Sequence, residues 1–210
     1  MRKSTLRPIA ASLLCTVLFV PAAVPAAGAQ ARAKAWSLAV SGSLTGFRGA
    51  ASGSSNSGSL AVRPSQGIAL GLAATRRLGL WGVSLGLSYL PTHVEAVSAA
   101  VAVQDRTEDL ERVRLAITAA RQLLRIGAGR LELRAGPALD SWSAGGKDRR
   151  TIGSGEAAFA LLLPAGPIIL ENVLGVSWSP GPFRTNELPA DYERKGLRAV
   201  SAGIGIRLGL

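Results

Sequence analysis

The stretch Trp81-Gly-Val-Ser-Leu-Gly-Leu-Ser-Tyr89 alternates a bulky apolar residue with glycine or serine at every step. A period of two is the period of a β-strand, so Trp81, Val83, Leu85, Leu87 and Tyr89 share one face and Gly82, Ser84, Gly86 and Ser88 the other. The pattern recurs at the end of the chain, where Val200, Ala202, Ile204, Ile206, Leu208 and Leu210 oppose Ala199, Ser201, Gly203, Gly205 and Arg207. Near the start, Trp36, Leu38, Val40 and Leu44 oppose Ser37, Ala39, Ser41, Ser43 and Thr45. Each strand therefore has one greasy face and one face of small, polar or charged groups.

Working outward, eight such runs of about ten residues follow Trp36, the length a tilted strand needs to cross a bilayer. They are Trp36 to Phe47, Gln66 to Thr75, Leu80 to Tyr89, Leu110 to Arg121, Leu131 to Trp142, Ile152 to Leu163, Pro167 to Trp178 and Leu197 to Leu210. The connections alternate. Arg76 to Gly79, Arg125 to Arg130 and Pro164 to Gly166 are tight, whereas Arg48 to Ser65, Pro91 to Asp109, Ser143 to Thr151 and Ser179 to Gly196 are long. Short turns at one end and long loops at the other predict an all-β, eight-stranded antiparallel up-and-down transmembrane barrel with periplasmic turns and extracellular loops. A soluble lipocalin-like barrel binding a small apolar ligand is the alternative, and it would turn the greasy face inward.

Composition agrees with a folded chain. Of 210 residues, 48% are hydrophobic and 18% charged, which excludes a charge-dominated disordered protein. Residues 1–29 read as an export signal: Arg2, Lys3 and Arg7, then the apolar run Ile9 to Val20, then Ala27-Gly28-Ala29. That run is too short for a membrane helix. Its Cys15 is the only cysteine, so no disulfide framework exists. Removing residues 1–29 takes three basic and no acidic groups and leaves residues 30–210 with 21 Lys and Arg against 13 Asp and Glu, a charge of +8. The basic residues are scattered, which argues against nucleic-acid binding.

Three details favour the membrane over a soluble barrel. The lysines after residue 29, Lys34, Lys147 and Lys195, all lie outside the strands. Aromatics end the greasy runs as two girdles, Trp36 and Trp81 at the short-turn end, Tyr89 and Trp178 at the long-loop end, joined there by Phe47 and Trp142. Strict parity puts Phe47 and Trp142 on the inner face, so a bulge or a position above the bilayer is needed to place them in a girdle. Polar residues on the greasy face, Gln66, Glu111, Arg121 and Arg198, lie at the rims, where their cost is lowest; Asn172 is the exception.

Inward parity collects Arg112, Arg114, Glu132, Arg134, Asp140, Glu156, Glu171 and Arg207, four cations and four anions. Ordered by distance from the tight turns, Glu132, Arg134, Glu171 and Arg207 form a lower layer and Arg112, Arg114, Asp140 and Glu156 an upper one. In a lumen only wide enough for side chains such a set predicts a salt-bridged plug, with gated ion leakage as the functional alternative. His93, with Glu95 and Ser98 near it in sequence, is the one candidate for catalysis, but nothing in the spacing assembles nucleophile, base and orienting group. No cofactor or metal ligand set is present.

This layout resembles the small eight-stranded outer-membrane barrels of the OmpX and OmpA membrane-domain type. The resemblance covers residues 30–210. Its most specific piece is Ser201-Ala-Gly-Ile-Gly-Ile-Arg-Leu208, which is similar to the signal such chains present to the barrel-assembly machinery through a polar residue, a glycine and terminal apolar positions, here Ser201, Gly203, Ile206 and Leu208. The family usually ends in an aromatic residue, and this chain ends Gly209-Leu210. The resemblance implies a monomer in the bacterial outer membrane, contact with its lipid and lipopolysaccharide, and adhesion or another surface interaction through the long loops by strand addition. Some small barrels of this membrane are lipid-A-modifying acyl hydrolases, the enzymatic alternative.

Overall fold

The computed structural model describes residues 35–55, 58–98, 102–145, 148–183 and 192–210. Residues 1–29, expected to be an export signal, lie outside them. Among the described residues the nine strands are β1 (Trp36–Ser55), β2 (Gly58–Pro64), β3 (Gly67–Leu78), β4 (Trp81–Ser98), β5 (Ala102–Ile126), β6 (Gly129–Ala144), β7 (Asp148–Ala165), β8 (Ile168–Ser179) and β9 (Tyr192–Gly209). All pairings are antiparallel; from β3 to β9 each strand pairs with the next in sequence, β1 pairs with β2 and β3, β2 pairs with β4, and β1 pairs with β9 to close the ring. Both β2 and β3 lie between β1 and β4, interrupted at Ser65-Gln66, so nine strands fill eight positions of the barrel.

Closure removes the sheet edges through the barrel wall, which a chain in lipid requires because an unpaired backbone group there finds no water. The apolar face is the outer one. Leu38, Val40, Leu72, Leu85, Leu87, Ile117, Leu174, Ile204 and Ile206 are all exposed on the outside, while Ser37, Thr45, Thr75, Ser84, Thr118 and Ser177 are buried in the lumen. This excludes the soluble, ligand-carrying barrel, whose greasy face would be inside.

The short turns fall at Gly79-Leu80, Gly127-Ala128 and Gly166-Pro167. Gly79, Gly127 and Gly166 have φ of 68°, 59° and 64°, a left-handed conformation that a Cβ disfavours.

The long connections differ from the expectation. Arg48 to Ser65 reads from the sequence as a long connection between strands; instead β1 runs on to Ser55 and β2 returns from Gly58, with Ala51 opposite Val62. Above the membrane, backbone pairing needs no apolar alternation, so the glycines and serines gave no strand signal there. The hairpin of β4 and β5 protrudes as the Val/Ala pattern of residues 94–103 indicated, with Val97 opposite Ala102. In β1 the ladder to β9 shifts between Gly49 and Ala51, where Gly49 (φ 86°) and Ala50 (φ 95°) form a bulge.

Candidate functional site: the lumen and its two rims

The lower layer of the lumen is built on β6, β8 and β9. Glu171 of β8 accepts from Arg134 of β6 and from Arg207 of β9, the latter at 2.9 Å through Nε and 2.7 Å through its terminal nitrogen. Arg134 also donates to Glu132 at 3.0 Å. Two further arginines converge on Glu132: Arg130 donates to it at 2.9 Å, and Arg77 of β3 stands 3.5 Å away. Sequence reasoning missed both because they sit inside the tight turns as read from periodicity. The lower layer thus holds four guanidiniums around two carboxylates, and the four-to-four balance read from parity becomes a positive excess.

In the upper layer Arg114 stands directly opposite Asp140 in the β5–β6 ladder and donates to both its oxygens, at 2.6 and 2.9 Å. The same guanidinium reaches Glu156 and the Ser177 hydroxyl, each at 3.2 Å. Arg112 makes no ion pair among the described residues. Its guanidinium lies 5.3 Å from the Phe47 ring and 5.5 Å from the Trp142 ring, a cation held between two aromatic faces.

Those two rings are not in a girdle. Phe47 and Trp142 are 5% and 2% exposed, 5.9 Å apart and edge-on at 63°. They cluster with Leu90, Leu110, Ile152 and Leu197 across the extracellular half of the lumen, and Phe183 packs against the group. Below this lid a cavity of about 170 Å³ is lined by Ser43, Thr45, Ser88, Ser177 and Ser201 with Arg112, Arg114 and Glu156. That is room for roughly five waters at their volume in the liquid.

Trp36, Trp81, Tyr89 and Trp178 do face outward and are exposed. At the short-turn end Arg76 lies over Trp36 and Arg121 over Trp81. At the other end the Tyr89 hydroxyl donates to Glu111 at 3.0 Å, and Trp178 stands opposite Arg198. On β9, Ser201 and Gly203 face the lumen, while Ile206 and Leu208 face outward. The His93 ring stands 3.2 Å from Asp109, and Glu95 turns to Arg63 at 3.4 Å. The side chain of Ser98 lies outside the described residues. Asn172 keeps its place on the outer face, between Leu161 and Ile204.

No family model matches the sequence, and no curated protein matches it. Among solved structures the chain is similar to Neisserial surface protein A, at a TM-score of 0.56 and 13% identity, over 84% of this chain and 97% of that one. The outer-membrane protein OprG from Pseudomonas aeruginosa aligns at 0.48 and 12% over 84% and 98% of the two chains. The attachment invasion locus protein Ail of Yersinia pestis, crystallised with a heparin analogue, aligns at 0.47 and 12% over 82% and 97%. By its closed antiparallel ring, its outward apolar belt and this likeness, the chain has the fold of the small eight-stranded outer-membrane β-barrels.

Proposed function

We propose that this protein is a monomeric outer-membrane barrel with a closed lumen, and that its role is exerted at the cell surface rather than by solute transport. The observation that carries the reading is the lid: Phe47, Arg112 and Trp142 stack across a lumen already crossed by two layers of ion pairs. An eight-stranded barrel has an interior that side chains fill, and here they do so at two heights. Such a path admits at most water and small ions.

The surface role rests on the sheet above the barrel. There β1 pairs β2, β2 pairs β4, and β4 pairs β5 down to Ala102, while the β5–β6 ladder begins only at Leu110. Residues 102–108 of β5 therefore have no strand on the side away from β4 among the described residues. An open backbone edge of this kind is what strand addition by another chain uses. The assembly machinery would read Ser201, Gly203, Ile206 and Leu208 before the barrel closes.

The test is planar-bilayer recording of the refolded protein after its heat-modifiable gel mobility has shown a folded barrel. The unmodified protein gives no stable pore, and Trp142→Ala, which deletes the largest fully buried side chain, gives measurable ion leakage. Large, voltage-independent pores in the unmodified protein would replace this reading with a porin.

A further inference from the structure

The charge of the two rims is unequal. At the short-turn rim Arg76, Arg77, Arg121, Arg125 and Arg130 gather, and among the described residues Glu132 is the one side-chain carboxylate that pairs with any of them. Arg77 and Arg130 turn inward to that carboxylate. Arg76 and Arg121 turn outward, and neither guanidinium makes an ion pair or a hydrogen bond among the described residues.

Instead each is laid on an indole. Arg76 is the direct cross-strand partner of Trp36, its guanidinium carbon 5.6 Å from the ring centre; Arg121 is the partner of Trp81, at 5.3 Å. The two pairs occupy the four adjacent strands β1, β3, β4 and β5 and form one patch at the end of the apolar belt. At these distances each cation lies within cation–π range of its ring, and its N–H donors are free of protein partners among the described residues. A planar fork of donors held at the headgroup level matches the paired oxygens of a phosphate.

We propose that these two Trp–Arg pairs bind the phosphates of anionic glycerophospholipids in the leaflet on the short-turn side. The proposal rests on the transmembrane reading above and adds to it a lipid class and the residues that select it. Charge alone would attract such lipids to any basic rim. The pairing with tryptophan adds position, since the indole sits where the acyl chain meets the headgroup and holds the cation at that depth.

The experiment uses Trp178→Phe, which leaves Trp36 and Trp81 as the lipid-facing indoles and Trp142 inside the lumen. It is reconstituted into phosphatidylcholine vesicles containing either acyl-brominated phosphatidylglycerol or acyl-brominated phosphatidylcholine, and tryptophan quenching measures the relative affinity of each lipid. The expected result is a preference for phosphatidylglycerol on the order of fivefold, the weight of one arginine near an anionic headgroup. It falls to parity in Arg76→Gln/Arg121→Gln and to an intermediate value in either single variant, all with the heat-modifiable mobility of the parent. Equal quenching by the two lipids in the parent, or a preference that survives the double substitution, overturns the proposal. Absence of quenching by both lipids would instead overturn the transmembrane reading itself.

Discussion

Replacing Glu171 with glutamine removes the carboxylate that Arg134 and Arg207 share. Glu171 and Arg207 are 6% and 2% exposed, so solvent cannot take over from the lost partner. Breaking a buried pair by removing one member costs about 3–5 kcal/mol, because the remaining charge is stranded. Arg134 keeps Glu132 at 3.0 Å, but Arg207 has no other carboxylate in hydrogen-bond reach among the described residues. Glu132, the other carboxylate of the lower layer, is already occupied by Arg77, Arg130 and Arg134. The variant Arg207→Gln is milder. Glu171 retains Arg134, and the loss is that of charged hydrogen bonds, about 1.5–3 kcal/mol. In the double variant two amides face each other where two charges stood, and Arg134 is still neutralised. The double loss is therefore smaller than the sum of the single losses by on the order of 1–3 kcal/mol. Urea unfolding in phospholipid vesicles, followed by tryptophan fluorescence and by gel mobility, measures all three. Losses additive to within about 0.5 kcal/mol would show that the two residues do not interact and refute the lower layer as drawn.

Three further substitutions test the wall. Gly136→Ala should fail to assemble or unfold at clearly lower urea, since its Cβ would lie 2.0 Å from the Ile117 carbonyl oxygen and 2.8 Å from the Thr118 Cα; parent-like unfolding would mean that β5 does not lean over β6 there. Leu85→Arg and Ile206→Arg place a charge among residues about half exposed to lipid, and each should cost about 2–4 kcal/mol if near the midplane, against about 0–1 kcal/mol near an interface. Unfolding free energies in vesicles that match those of Trp81→Arg at the rim would contradict the depth assignment.

The strand faces were legible because a bilayer imposes a rule on every second residue. The turns were legible because a tight reversal needs glycine at a left-handed position, as at Gly79, Gly127 and Gly166. Strand length was legible only inside the apolar belt. Beyond it β1, β2, β4 and β5 continue as sheet in water, where Gly, Ser and charged residues pair as readily as valine, and the run from Arg48 to Ser65 looked like a loop. Arg77 and Arg130 were lost for a related reason. Arg77 lies at the end of β3 and Arg130 at the start of β6, both beyond the runs that parity covered, and so Glu132 was credited with fewer partners than the three arginines it holds.

Phe47 and Trp142 pose a sharper conflict, since two sound rules disagreed about them. An aromatic closing a greasy run belongs to an interfacial girdle, yet parity turned both inward. To move either ring outward the strand must insert a residue, and that breaks the ladder and leaves backbone groups unpaired at the edge of lipid. In the fold the β1–β9 ladder runs intact through Phe47, opposite Ala199, and Trp142 is paired on both sides, opposite Arg112 and Arg150; the bulge in β1 comes only at Gly49. Backbone pairing therefore outweighs the preference of an aromatic ring for the interface. Once inward, the two rings reach Arg112, which has no ion pair among the described residues, and the three lie together in the lumen. The girdle position they vacate is held by Tyr89 and Trp178, on strands whose register already pointed outward.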